Sequence, residues 1–193
     1  MKKETIIRLA IVVVLILAVL FAMRGNIYKT VVKYEDGGNR KNYELKDKGI
    51  LNYIHEQLPN DESLDANIDI DMIVDLSLDI TANTLDYFAE AETNDPHEVF
   101  IIKNANYIGY AAFTASVGNY LLKRFEMSKE WEAKPKKGKL YRFGSNKTKG
   151  AKEGWYKDHD FVIFRNKNTK EEIYVDPSAY ESYGVSRVNK YQK

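Results

Sequence analysis

The strongest pattern in the chain is an uninterrupted apolar run. Leu9 to Met23 reads LAIVVVLILAVLFAM without a charge, and Ile6 and Ile7 extend it past Arg8. Ile6 to Met23 is 18 residues, near the minimum for a helix that crosses a bilayer. Arg8 is long enough to snorkel to the interface, and Tyr28 stands where an interfacial aromatic would. Lys2, Lys3 and Arg8 would also suit the basic start of a cleaved signal peptide. Ala22, however, has Leu20 two places before it instead of a small residue, so the run reads as an uncleaved anchor. The amino terminus, Lys2, Lys3 and Arg8 slightly outweigh Arg24, Lys29 and Lys33, which predicts a single-pass protein with its soluble part on the extracytoplasmic side.

Residues 1–30 are therefore read as anchor and juxtamembrane segment, and 31–193 as one soluble domain. Asn26 to Val32 leads out of the membrane, and Glu35-Asp36-Gly37-Gly38-Asn39 reads as a loop. Ile50, Leu51, Ile54 and Leu58 fall at helical spacing, and Pro59-Asn60-Asp61 stops that helix. Met72, Ile73, Leu76, Ile80, Leu85 and Phe88 predict an amphipathic helix over Asp69 to Phe88, with a break near Thr81-Ala82-Asn83. Val99 to Ile102 is a short apolar run, strand or helix. Ala105 to Phe125 is apolar or small on most faces, which predicts a buried helix with Asn104 or Asn106 as its cap. Gly109, Ala112, Ala115 and Gly118 would let neighbours approach it closely. Lys134 to Lys139 reads as a basic loop, solvated or touching an anionic membrane surface. Strands follow at Leu140 to Phe143, Asp160 to Phe164 and Glu172 to Val175, the second apolar on both faces and hence central.

Composition narrows the class. Of 193 residues, 44% are hydrophobic and 12% aromatic, enough for one domain with a real core. Lys and Arg number 29 against 28 for Asp and Glu, which gives no electrostatic reason to expect nucleic acid. The chain has no cysteine, which excludes disulfides, thiolate metal sites and a cysteine nucleophile. Asp69, Asp71, Asp75 and Asp79 lack the Gly and terminal Glu of a calcium loop and read as a solvated helix face. His55 and His97 show no partners in sequence, three scattered histidines give no metal spacing, and no cofactor is expected.

One constellation carries chemical information. A hairpin centred between Lys167 and Asn168 places His159 directly opposite Asp176. An imidazole beside a carboxylate is held in one tautomer and kept basic. The buried helix would present free N–H groups and a positive dipole end at its start, where a thiol is driven toward thiolate. Tyr107-Ile108-Gly109-Tyr110-Ala111-Ala112, followed by His159-Asp160-Phe161-Val162 and Tyr174-Val175-Asp176-Pro177-Ser178, resembles the nucleophile helix, His strand and V-D-P-[ST] strand of transglutaminase-like domains. The resemblance spans roughly Asp71 to Ser186. It implies an α+β, cysteine-peptidase-like (papain-like) fold with helices packed on an antiparallel sheet, His159 as base and Asp176 as its orienting residue. The nucleophile position is occupied by Tyr107, a phenol with an ordinary pKa near 10.

Three functions compete. The first is a catalytically inactive transglutaminase-like module that binds a protein or peptide at the cell envelope. The second is an acyltransferase or peptidase-like hydrolase that uses His159 and Asp176 with another nucleophile. Ser116, about 13 Å down the helix from Tyr107, is badly placed for that role. The third is a structural envelope protein in which Trp131, Trp155 and the tyrosines form an assembly surface. In the plainest reading His159 is a satisfied strand-end histidine, Asp176 caps a turn and Tyr107 is a core aromatic.

Overall fold

The computed structural model describes residues 3–59, 68–152, 155–157 and 159–192. The apolar run forms helix α1 (Lys3–Ala22), and its stretch Thr5–Ala22 is long and apolar enough to cross a membrane, with none of it buried against the rest of the protein. Helix α2 (Arg24–Val31) follows after the single residue Met23. Met23 is a turn residue with φ −89° and ψ 0°, bonded to the helix on either side through Met23 N to Val19 O and Ile27 N to Met23 O, both 2.9 Å. Tyr28, expected as an interfacial aromatic, is instead buried in the domain.

Asp47 caps α3 (Lys48–Glu56), and Asp69 caps α4 (Ile70–Thr84). The stop predicted at Pro59-Asn60-Asp61 falls partly outside the described residues. Helix α4 has no break at Thr81-Ala82-Asn83. The Thr81 hydroxyl bonds back to Ser77 O (2.8 Å) and sideways to Thr114 (3.0 Å), so this polar residue holds the helix instead of ending it. Leu85 and Phe88 lie past its end, beside the two-residue strand β2 (Asp86–Tyr87). The ambiguous run Val99–Ile102 is helical: Asp95 caps α5 (Pro96–Ile102), with Pro96 in its first turn. Strand β3 (Asn104–Ala105) pairs parallel with β2, and Asn106 caps α6 (Tyr107–Arg124).

The main sheet runs in the order β7-β6-β4-β1-β8, with β5 also on β4. Its strands are β1 (Val32–Asn39), β4 (Trp131–Arg142), β5 (Ser145–Asn146), β6 (Asp160–Asn166), β7 (Glu172–Val175) and β8 (Asn189–Lys190). Helix α7 (Pro177–Tyr183) separates the last two. All pairings are antiparallel except β1 with β8. The architecture is mixed α+β behind one apolar N-terminal helix.

Two predicted loops are strands. Glu35 to Asn39 belongs to β1, and the basic run Lys134 to Lys139 is the middle of β4. The lysines are accommodated because they find acids on the sheet: Lys134 on Glu132, Lys136 on Asp36 and Lys139 on Glu35. Pro135 fits because its carbonyl accepts from Arg40 N, just past the end of β1, so its missing N–H faces a stretch with no ladder to lose.

Burial along β4 passes from the odd positions Trp131, Ala133 and Pro135 to the even positions Gly138 and Leu140. Two cores cause the switch. Val162 and Phe164 of β6 join Trp131, Ala133 and helices α3 to α6 on one face. Phe161 and Ile163 join Tyr28, Tyr34, Leu140 and Ala179 on the other. Strand β6 is thus buried on both faces, as its sequence indicates. Gly118 lets α6 sit directly on β6, because a Cβ there would stand 2.7 Å from the Phe164 ring.

Candidate functional site

The β6–β7 hairpin turns later than predicted. Val162 faces Val175 and Arg165 faces Glu172, so Asp176 continues the register opposite Phe161, not His159. The extra length sits in the turn. The Asn166 side chain accepts from Asn168 N (2.9 Å) and Thr169 N (3.0 Å), and Lys170 takes a left-handed φ of 66°. A shift of this size keeps His159 and Asp176 on one face as diagonal neighbours, within reach of an imidazole. His159 Nε2 lies 2.6 Å from Asp176 Oδ2, and both side chains are fully buried.

Gly138 positions the histidine. Its N–H bonds His159 O at 2.8 Å, and a Cβ on it would stand 2.4 Å from that oxygen. Asp176 lies between β7 and α7 and caps the helix, its Oδ1 accepting from Ser178 N (2.9 Å), Ala179 N (3.2 Å) and Ser178 Oγ (2.6 Å). Its Oδ2 accepts from Tyr34 Oη at 2.5 Å as well as from His159. Burial alone would raise this carboxyl. The His159 charge and the hydrogen bonds from His159, Ser178 and Tyr34 outweigh burial and hold it below the ordinary value of 3.8.

The donor–acceptor logic fixes the imidazole. His159 Nδ1 lies 3.1 Å from Trp155 O, and a carbonyl can only accept, so Nδ1 carries a proton. Nε2 faces an ionised carboxylate oxygen and must carry one too. Neither nitrogen has a lone pair free to take a proton from a neighbour.

The third predicted residue joins them. Tyr107 opens α6, capped by Asn106 through Ile108 N (3.0 Å) and Gly109 N (3.1 Å). Its half-buried ring lies 4.6 Å from the His159 ring, 5.2 Å from Trp155 and 4.6 Å from Tyr87. Burial, then the neighbouring Tyr87 hydroxyl, pushes the Tyr107 phenol up, away from the phenolate a nucleophile would need. The helix tip, His159 and Asp176 converge, and aromatic rings fill the space in front of the imidazole.

Sequence reasoning missed the residues behind the pair. Tyr34 donates to Asp176, so its own oxygen receives the proton of Tyr28, whose hydroxyl touches it. Burial raises both phenols, and the Asp176 charge adds to it. The alternation of Val32 and Tyr34 was the available signal for an inward-facing tyrosine; nothing local marked its partner.

The other candidates go elsewhere. Ser116 is buried, its hydroxyl bonded to Ala112 O (2.8 Å) and Tyr43 O (3.2 Å). It lines a cleft of about 710 Å³ with Asn119, Trp131 and Lys167, toward the far end of α6. Trp131 is a core residue, so it offers no assembly surface. His55 and His97 do have partners: His55 bonds Arg124 (2.5 Å), and His97 bonds Asp95 (3.0 Å) and Lys46 N (3.3 Å). The acidic face of α4 is engaged as well, Asp71 and Asp75 by Arg187 and Asp79 by Tyr180. Among the described residues no group of three His, Asp or Glu is placed to hold a metal ion. No protein-family model matches the chain, and no curated protein and no solved structure is significantly similar to it.

Proposed function

We propose that the chain is a membrane-tethered, non-catalytic domain of transglutaminase-like kind, which binds a protein or peptide partner close to the bilayer on its extracytoplasmic side. The observation that carries the reading is the state of His159: both ring nitrogens are bonded, and the Tyr107 ring stands where an attacking group would have to be. General base catalysis needs a free lone pair within reach of the nucleophile's proton, and this arrangement offers neither. The pair instead ties β6 to the start of α7. Support for a partner comes from the short β2–β3 ladder beside the helix tip, where Tyr87, Phe88, Ile101 and Ile102 expose 42%, 50%, 77% and 47% of their surface.

The test uses the full chain in lipid nanodiscs, assayed for acyl transfer and peptide hydrolysis. Neither activity is expected above background, in the wild type or in His159→Ala. A turnover that His159→Ala abolishes overturns the proposal. The same preparation on a peptide array is expected to retain peptides that the double variant Phe88→Glu, Ile101→Glu releases. Equal retention by both removes the binding face.

A further inference from the structure

The site around His159 is closed on one side by the extension of the membrane helix. Tyr28 of α2 stacks on Tyr183 of α7 with ring centroids 4.7 Å apart, and meets Trp155 edge-on at 6.4 Å. Trp155 is the residue whose ring lies 4.6 Å from His159 and whose carbonyl faces His159 Nδ1. Close approach of the two helices depends on Gly25, where a Cβ would stand 3.0 Å from Tyr183 O and 3.2 Å from the Val185 side chain. The Tyr28 hydroxyl then begins the chain that runs through Tyr34 to Asp176 and His159.

The attachment is narrow. Tyr28 is the one buried residue of α2, and no side chain caps the start of that helix. The further bond from Asn189 Nδ2 to Lys29 O (2.7 Å) is exposed. At its far end Val31 packs half-buried on the same core and its carbonyl accepts from Phe143 N (3.2 Å), so that end is fixed to the sheet. The rest of this eight-residue helix has little stability of its own, and a segment held by one fully buried side chain opens at far lower free energy than a core strand. A single turn residue, Met23, separates α2 from the membrane-spanning stretch, so a tilt or rotation of that stretch has one joint to cross before it reaches Tyr28.

We infer that α2 is a latch: docked, it seals the aromatic cluster over His159, and released, it uncovers that cluster without unfolding the domain. The inference takes from the proposed function that the Tyr107 and His159 end is the working face, and it assigns the control of that face to the anchor. Lifting Tyr28 removes a ring from Trp155 and Tyr183 and one hydrogen bond from Tyr34, while Asp176 keeps its remaining donors.

The chain has three histidines, so its own His55 and His97 serve as references. The full chain in nanodiscs is footprinted with hydroxyl radicals, which attack the exposed ring whichever nitrogens carry protons, and oxidation at each histidine is followed by mass spectrometry. His159 is expected to be protected in the wild type. Tyr28→Ala, and Gly25→Ala by pushing α2 off Tyr183, should raise its modification rate about tenfold relative to His97. Tyr28→Phe, which keeps the stacking and loses the hydroxyl, should fall between. Val74→Ala weakens the other core and should leave His159 protected. Equal protection in all α2 variants overturns the latch, as does equal exposure in Val74→Ala. The readout involves neither a partner nor a turnover, so the latch and the proposed function fail separately.

Discussion

Asp176 is fully buried and still charged, because five donors converge on its two oxygens: His159 Nε2, Tyr34 Oη, Ser178 Oγ, Ser178 N and Ala179 N. Removing one partner of such a pair strands the other charge in a dry environment. Asp176→Asn and His159→Ala are each expected to lower stability by about 3–5 kcal/mol, read as a shift in the urea midpoint. Acid titration has a definite sign. The folded carboxyl titrates below its ordinary value, so its contribution is complete above about pH 4 and drains as the pH falls through the folded value. Alkali acts in the opposite direction. Tyr28, Tyr34, Tyr107 and Tyr110 all resist ionisation when folded. The unfolded chain ionises near the ordinary value of 10.0, so stability should fall as the pH rises past it. An unfolding midpoint that is flat between pH 9 and 11 would contradict the burial of these rings.

The elements show which parts of the design were written locally. Helix α6 was legible because small and apolar residues on every face have one physical outcome, a helix packed all round. Gly118→Ala, which sets a methyl against the buried Phe164 ring, should lower the melting temperature by an amount matching about 1–3 kcal/mol. Strand β4 was not legible. Pro135, Gly138 and four lysines between positions 134 and 139 look like solvent, and only the acids of β1 and the position of Arg40 make the run a central strand. The hairpin lies between these cases. Its strands follow from alternation, but its register depends on Asn166 closing a longer turn, and no pattern of apolar residues fixes that. His159 and Asp176 still meet because the shift preserves their face. Gly138→Ala belongs to this scale. A methyl 2.4 Å from His159 O has to displace backbone, so the variant should disturb histidine and Trp155 signals well before it unfolds the protein. Unchanged Trp155 fluorescence would show the strand yielding elsewhere.

In the whole molecule, the apolar helix reaches the domain through α2, whose Tyr28 is buried in it. The apolar helix was plain in sequence, whereas the docking of its extension was not. Tyr28 reads equally well as an interfacial aromatic until Tyr34, Trp155 and Tyr183 surround it. The nearness of His159 and Asp176 was legible from the hairpin, whereas Tyr107 was singled out only through the resemblance to transglutaminase-like domains. The aromatic filling was not legible, since Trp155 and Tyr87 come from segments with no shared pattern. Everything proposed for the domain depends on whether that filled site leaves His159 a base. Nitrogen-15 NMR of the full chain, labelled at histidine and held in nanodiscs at neutral pH, decides it. The prediction is that both His159 ring nitrogens carry protons, one coupled to Asp176 and one held by Trp155 O. A His159 nitrogen with a free lone pair, turned toward Tyr107, would contradict it.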